Sequence, residues 1–206
     1  MITIVDYGMG NLGSIVNMFR KIGVQTFVTE EPAGVEHADK LLLPGVGAFD
    51  TAMTRIGQQG LLFLLNKKAL VEKVPILGIC LGMQLLTDSS EEGTLPGLGW
   101  IPARTLAFKG RIDTSRYKVP HMGWNTVEKN ADSSLTEGFE PFEEVRFYFV
   151  HSYFVQCDDD RHSILKTTYG LRFDSAIQNG NIYGAQFHPE KSHTFGMQLF
   201  RNFARL

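Results

Sequence analysis

The chain has 206 residues, 43% of them hydrophobic, which is enough for one large domain with a substantial core. Its 20 basic and 22 acidic residues are scattered and give a net charge of −2, so neither a nucleic acid nor an anionic membrane surface is indicated as a partner. No apolar run approaches the roughly 18 residues of a transmembrane helix and no signal-peptide pattern is present, so we expect a cytoplasmic protein with one domain, residues 1–206.

The first half of the chain alternates between strand and helix patterns. Strands are predicted at residues 1–6, 25–29, 40–43 and 75–79, and helices at residues 11–22, 49–56, 61–71 and 81–87. The first helix carries its apolar side chains on one face and stops before Gly23. Such alternation is typical of a parallel sheet with helices on both faces.

The second half of the chain, from Trp100 onward, changes to short extended runs. Strands are predicted at residues 100–108, 145–150, 164–168, 175–179 and 182–187, and a last helix at residues 195–204. These strands are expected to extend the sheet in an antiparallel or mixed manner. We therefore predict an α/β fold: a single domain with a central, mostly parallel or mixed β-sheet flanked by helices.

The strongest local signal is a glycine-flanked cysteine at the junction of a strand and a helix, with Gly78 and Gly82 two positions on either side of Cys80. Small residues at this spacing allow a sharp turn that lifts the central side chain out of the packed layers, and the N–H groups that open the next helix favour a thiolate. The pattern predicts a nucleophile. A buried structural cysteine explains Cys80 equally well when the turn is taken alone.

The other cysteine, Cys157, is far from Cys80 in sequence, and no CxxC or Cys/His cluster typical of a metal site occurs. We expect two free thiols and no metal site.

A candidate base lies at the end of the strand predicted at residues 182–187, in the tripeptide formed by His188, Pro189 and Glu190. Glu190 can accept the imidazole N–H and leave the other ring nitrogen for Cys80, which gives a Cys-His-Glu triad. A simple surface turn is the alternative. Gln84, four residues after Cys80, is placed above the thiol by a helix and is a candidate for binding substrate.

Oxyanion donors are expected from the backbone N–H of Leu81 and from the glycine turn, residues 44–47, which ends the strand predicted at residues 40–43. Glycines at both ends of Val46 leave the backbone unobstructed. An ordinary turn at the end of a strand is the alternative.

These motifs together resemble those of the class I, triad-type glutamine amidotransferases. Residues 78–84 (GICLGMQ), 44–47 (PGVG) and 187–190 (FHPE) occur in that family's order. Three further runs, residues 120–125 (PHMGWN), 149–153 (FVHSY) and 186–192 (QFHPEKS), are similar to those of the glutaminase subunits of imidazole glycerol phosphate synthase. The likeness spans nearly the whole chain and is loose at residues 106–118 and 129–143, where we assign no role.

The resemblance implies a flavodoxin-like α/β domain that hydrolyses L-glutamine to glutamate and ammonia through a γ-glutamyl thioester, without a metal or organic cofactor. It implies that Cys80 is the nucleophile, His188 the general base and acid, and Glu190 the residue that orients His188. The remaining roles fall to residues of two groups: the backbone of Val46, Gly47 and Leu81 as the oxyanion hole, and Gln84, Glu92, His151, Ser152 and Tyr153 as the glutamine site.

The consumer of the ammonia is then expected to be a second polypeptide, which the resemblance identifies as the cyclase subunit of a heterodimer in histidine biosynthesis. Candidate docking residues are Met122, Trp124, Asn125 and Lys191, with packing and solvation as the alternative reading. Control is expected at the 44–47 turn, because a glycine-flanked peptide can rotate between offering an N–H and offering a carbonyl.

Four other functions stay open at this point. Residues 8–13 (GMGNLG), followed by Glu30 and Glu31, match a dinucleotide-binding fingerprint but explain neither Cys80 nor His188. The amidotransferase interpretation instead uses this loop as one wall of the glutamine pocket. A catalytically idle binding module, and a free-standing amidase or an amidotransferase subunit of another synthase, are the remaining alternatives.

Overall fold

The computed structural model describes residues 1–140 and 142–206, and its elements follow the predicted order closely. The strands are β1 Ile2–Val5, β2 Thr26–Thr29, β3 Leu41–Leu43, β4 Ile76–Ile79, β5 Ser89–Ser90, β6 Ala103–Ala107, β7 His121–Lys129, β8 Val145–His151, β9 Tyr153–Cys157, β10 Ser163–Tyr169, β11 Leu171–Asn179 and β12 Ile182–Ala185. The helices are α1 Leu12–Lys21, α2 Pro32–Glu36, α3 Phe49–Gln58, α4 Leu61–Asn66, α5 Leu81–Leu85 and α6 His193–Arg205, with 3-10 turns at Ser134–Thr136, Asp160–His162 and Pro189–Lys191.

The strands form one mixed sheet whose main path runs in the order β2-β1-β3-β4-β12-β11-β10-β7-β8. The strands from β2 to β12 along this path are parallel, and those from β12 to β8 are antiparallel. Because β4 and β12 pair in parallel and in register, their carboxyl ends lie side by side. Cys80 follows β4 and His188 follows β12 by three residues, so the sheet brings the two together.

Helices cover both faces of the sheet, as predicted. On one face, Phe19 of α1 stacks on Phe200 of α6 with 4.3 Å between ring centroids. On the other face a second buried cluster joins α3, α4 and α5 to the sheet through side chains such as Ile56, Leu65 and Met83. The α/β fold with a mixed central sheet is confirmed.

Several local predictions are wrong in detail. Strands β7 and β9 were not expected, because Gly123 and alternating exposed residues weaken the apolar signal in β7 and Ser152 separates β9 from β8. The segment predicted as one helix at residues 61–71 divides into two parts. Helix α4 ends at Asn66, and a π-helical turn follows over Lys67–Val71. Residue 141, within the segment 129–143 left without a role, lies outside the described residues. None of the described helices is long and apolar enough to cross a membrane.

Candidate active site

Cys80 occupies a strained turn between β4 and α5, with φ +54° and ψ −107°. The flanking glycines allow the turn: a Cβ at Gly78 would lie 2.4 Å from the carbonyl oxygen of Gly82, and a Cβ at Gly82 would lie 1.9 Å from that of Leu43. The Cys80 N–H is fixed by Ala185 of β12 at 2.7 Å. A left-handed backbone at a non-glycine residue costs about 1–3 kcal/mol and is found mainly at functional sites.

The predicted base and its orienter are paired and buried. His188 Nδ1 lies 2.8 Å from Glu190 Oε1, and both side chains are 3% exposed. Nδ1 therefore carries the proton that Glu190 accepts, and His188 Nε2 is left for Cys80 with no competing hydrogen-bond partner within the described part of the chain.

Strand β8 holds this tripeptide in place. The His188 N–H donates to the carbonyl of Tyr148 at 2.9 Å. The buried hydroxyl of Ser192 donates to the carbonyl of His188 at 2.6 Å and accepts from the N–H of Tyr148 at 3.0 Å. These bonds fix the direction of the imidazole, because the chain on either side of it is anchored.

The electrostatics of the pair favour a charged imidazole. Burial lowers the pKa of His188, but the adjacent Cys80 and Glu190 side chains outweigh burial and raise this pKa to about 9. An imidazolium beside a thiolate is the arrangement that activates cysteine nucleophiles.

A cavity of about 330 Å³ opens beside Cys80. It is lined by Val46, Gly47, Cys80, Leu81, Gln84, Glu92, Pro120, Val150, His151, Ser152 and Tyr153. The structure thus brings together every residue predicted for the oxyanion hole and the glutamine site. Among the described residues, no group of three or more His, Cys, Asp or Glu side chains is arranged to hold a metal ion.

Glu92 and Gln84, two polar side chains that line this cavity, differ in what they bind. Glu92 Oε2 accepts the N–H of Phe49 at 3.0 Å, and burial raises the pKa of Glu92 despite that bond. Gln84 is 4% exposed and uses its amide N–H groups on Tyr153 and Gln186.

The 44–47 turn approaches α5 closely. A Cβ at Gly45 would lie 2.7 Å from the Tyr7 hydroxyl and 2.9 Å from Leu81 Cβ. The N–H of Leu81 donates to the carbonyl of Gly45 at 3.4 Å. Because a trans peptide is planar, the N–H of Val46 points away from that carbonyl and from α5. Of the three expected oxyanion donors, the N–H of Leu81 is therefore occupied and that of Val46 is turned away.

The family of the chain is decided by a match along almost its full length. A model of the glutamine amidotransferase class-I family matches residues 3–206. The chain belongs to this family. The prediction from the sequence motifs that the chain is a glutamine amidotransferase is confirmed.

Relatives and solved structures agree with this amidotransferase assignment. "Imidazole glycerol phosphate synthase subunit HisH 2" of Methanococcus maripaludis is 53% identical, with 100% of this chain and 99% of that protein covered. "Imidazole glycerol phosphate synthase subunit HisH" of Bdellovibrio bacteriovorus is 45% identical, with 100% of both covered. Within the family, the chain belongs with these HisH subunits.

Solved structures support the fold. A structure described as "glutamine amidotransferase" superposes with a TM-score of 0.75 at 15% identity, covering 100% of this chain and 99% of that chain. PurLQS from Thermotoga maritima superposes with a TM-score of 0.73 at 18% identity, covering 99% and 97%.

Three of the four docking candidates of the amidotransferase share an exposed surface. Met122 and Trp124 are 61% and 47% exposed, and the Trp124 ring stacks on His193 at 5.3 Å. Lys191 Nζ lies 5.6 Å from the ring centroid of Tyr148. Asn125 differs: it follows Trp124 in β7, so its side chain lies on the opposite face. Its amide contacts His121 and the carbonyl of Thr168.

The sequence missed two residues of the amidotransferase site. Tyr7 donates its hydroxyl to the carbonyl of Pro44 and so supports the 44–47 turn. The side chain of Gln186 contacts the sulfur of Cys80, and only its position two residues before His188 pointed to it. The loop of residues 8–13 was expected to form one wall of the cavity, but it is not among the lining residues. It packs behind the 44–47 turn, where Met9 contacts Gly47 and Arg55 donates to the carbonyl of Gly8.

Proposed function

We propose that this amidotransferase is a glutaminase subunit in which Cys80, His188 and Glu190 release ammonia from L-glutamine. One observation carries the proposal: the end of β4 and the end of β12 place a strained cysteine and a buried, carboxylate-bound imidazole at the same cavity. We take the whole chain, residues 1–206, as one functional domain.

The reaction follows from the proton positions. The Cys80 thiolate attacks the side-chain carbonyl carbon of glutamine and forms a tetrahedral oxyanion. The C–N bond breaks as His188 Nε2 gives its proton to the leaving nitrogen, and ammonia departs from a thioester. Water then attacks the thioester carbon while His188 takes its proton. The C–S bond breaks, and glutamate and the Cys80 thiolate are released.

The residues around the cavity suit the two ends of the substrate. Glu92 presents a half-buried carboxylate that complements the α-ammonium group of glutamine, and the neutralisation would offset its burial. The backbone of Ser152 and Tyr153 and the amide oxygen of Gln84 are the polar groups that face the rest of the substrate, whereas His151 lines the cavity with both ring nitrogens already hydrogen-bonded. The cavity volume of about 330 Å³ fits a small amino acid.

The acceptor of the ammonia lies on another chain in this proposal. The names of the relatives describe subunits of imidazole glycerol phosphate synthase, and a cyclase subunit that makes imidazole glycerol phosphate and AICAR for histidine is the partner we infer. We propose that Met122, Trp124 and Lys191 dock this partner in a cytoplasmic heterodimer. Asn125 supports the docking strand from its inner face.

The 44–47 turn is the site at which docking would control catalysis. The Gly45 carbonyl occupies the Leu81 N–H, so the oxyanion has no free donor from this pair until the Gly45–Val46 peptide rotates. A partner that favours the rotated peptide by about 4 kcal/mol would raise a rare competent population roughly a thousandfold.

Steady-state glutaminase rates test this function. We expect a low rate for the chain alone, a higher rate with the cyclase subunit, and a much higher rate when that subunit also carries its own ligand. Equal rates in all three mixtures would reject control by the partner and favour a free-standing amidase. A chain that never hydrolyses glutamine, and whose Cys80 does not react with a glutamine-analogue electrophile, would favour an idle binding module.

A further inference from the structure

Gln186 occupies a position that the triad does not explain. It follows β12, its side chain is fully buried, and its Nε2 atom lies 3.7 Å from Cys80 Sγ. The carbonyl of Val150, 3.8 Å from the same sulfur, is the other backbone or amide group in contact with it among the described residues. A carbonyl can accept only from a neutral thiol, whereas an amide N–H can donate to a thiolate.

The direction of the Gln186 amide follows from its neighbour Gln84. Gln84 Nε2 lies 3.2 Å from the carbonyl oxygen of Tyr153, which can only accept, so the NH₂ group of Gln84 must face it. The second hydrogen of that NH₂ group points to Gln186 Oε1 at 3.1 Å. With its oxygen held there, Gln186 has its own NH₂ group directed at Cys80.

Two buried histidines fix the Tyr153 carbonyl in turn. Burial lowers the pKa of His151 to about 3 and that of His121 to about 4, so both rings are neutral and carry one N–H each. His151 Nδ1–H donates to Tyr153 at 2.7 Å, and His121 Nδ1–H donates to His151 Nε2 at 2.9 Å. Asn125 donates to His121 Nε2 at 3.2 Å. In this chain of hydrogen bonds, from Asn125 to Tyr153 and from Gln84 to Gln186, each bond therefore has only one possible assignment of donor and acceptor.

We propose that Gln186 is a further catalytic residue, whose amide N–H stabilises the Cys80 thiolate both before attack and as the leaving group when the thioester is hydrolysed. Its catalytic role rests on the function proposed above, but its contact with the thiolate does not. Hydrogen bonding to the charged form of a group favours that form. Gln84 acts as the positioning residue, because it aims the Gln186 amide.

The test is the pH dependence of alkylation of Cys80 by iodoacetamide in the full chain, with each cysteine followed separately by peptide mass spectrometry. Gln186→Leu removes the donor, and Gln186→Glu keeps the acceptor for Gln84 while placing an oxygen against the sulfur. Gln178→Leu, on β11 away from the cavity, is the matched control for loss of a glutamine. The native titratable groups facing Cys80, His188 and Tyr7, are retained in all variants, and only Gln186→Glu adds a further one, its own carboxyl group.

We expect the alkylation midpoint of Gln186→Leu to move up by about one pH unit. Below this midpoint the thiolate is roughly tenfold less abundant, but each thiolate is more nucleophilic, so the alkylation rate should fall only about threefold. The rate at high pH should equal or exceed that of the parent. Gln186→Glu should move further in the same direction, and Gln178→Leu should match the parent.

Two results would overturn the proposal. Profiles of both Gln186 variants that superpose on the parent would show that the amide does not act on the sulfur. A uniform loss of rate at every pH, with no shift of the midpoint, would show that Gln186 only shapes the site. If Gln186→Leu fails to fold, Gln186→Glu decides by the same criteria. If the Gln186 variants show the shift but the parent chain never hydrolyses glutamine, the proposed function is rejected and the contact between Gln186 and the thiolate stands.

Discussion

Two parts of the same site differ in how complete they are. The Cys80, His188 and Glu190 side chains are buried, mutually oriented and anchored to β8 and β12. The 44–47 turn across the cavity is partly exposed, and its nearest carbonyl occupies the Leu81 N–H that an oxyanion needs. The proposed nucleophile and base are assembled in advance, whereas in our proposal stabilisation of the transition-state charge still requires a backbone rotation. Glutamine chemistry can therefore be controlled without moving the triad.

The largest effect is expected from removing the nucleophile. Cys80→Ala should reduce glutamine hydrolysis by on the order of 10⁴-fold or more, because no thioester can form. Partner binding and the partner's use of externally supplied ammonium should be retained. Glutaminase and ammonia-dependent synthase rates measured on the same complex check this, and residual hydrolysis near the parent rate would move the nucleophile elsewhere.

The second test separates the base from its orienter. His188→Ala should lower single-turnover thioester formation by about 10³-fold and Glu190→Gln by less, roughly 10²-fold, because the orienter fixes the tautomer whereas the base transfers the proton. Rapid-quench measurements of both variants provide the comparison. An active His188→Ala protein would eliminate the triad.

The incomplete part of the site is probed at Gly47. Gly47 has φ +117°, and an added Cβ would lie 2.6 Å from Met9 Cε. Gly47→Ala should cost about 1 kcal/mol of stability and roughly 10²-fold in glutaminase rate, because the strained and displaced turn can no longer direct its backbone N–H at the oxyanion.

Gly23→Ala is the matched control for Gly47→Ala, since Gly23 has φ +77° and free space around it. The control should show a similar loss of stability in urea titrations and a normal rate. If both variants keep the parental rate, the 44–47 turn is not part of the oxyanion hole.

The surface that would complete the site is tested at Trp124. Trp124→Ala should weaken binding of the cyclase subunit by about 2 kcal/mol, or roughly thirtyfold in Kd, as for a typical aromatic anchor. Phe63→Ala, which removes a 75% exposed aromatic ring from α4, should leave binding unchanged. Calorimetry on the two variants measures this. Equal Kd values would move the docking surface away from β7.

The last test concerns stability and not activity, at the buried His121. The pKa of His121 is about 4 in the folded chain and near 6.5 when unfolded, so the stability that it contributes is present above pH 6.5 and is lost as the pH falls toward 4. We expect the parent to lose about 2 kcal/mol more than His121→Gln between pH 7.5 and 5. Urea titrations at the two values measure it. His37→Gln, at an exposed site, should behave like the parent.

The sequence predicted the complete part of the site better than the incomplete part. Cys80 and His188 can be predicted from the sequence because the backbone around them is determined by glycines and a proline that are close to them in the chain. The parallel pairing of β4 with β12 that joins them was not predicted, because β12 belongs to the second half of the chain, where only an antiparallel or mixed extension of the sheet was expected. The orientation of the Gly45 carbonyl depends on the rotation of a single peptide plane, so it cannot be predicted from the amino-acid sequence. The role of Gln186 depends on Gln84 and Tyr153, which come from two other elements, so no local pattern contained it.

The left-handed backbone at Cys80 limits what can replace this residue during evolution. β-branched side chains are the least tolerated at positive φ, so a threonine nucleophile would have to distort the turn. Glycine is the residue best suited to φ +54°, and Cys80→Gly would relieve about 1–3 kcal/mol of strain. Loss of the nucleophile is therefore accompanied by a gain in stability. Descendants of this fold that keep the cavity but abandon hydrolysis are expected to carry glycine at the position of Cys80.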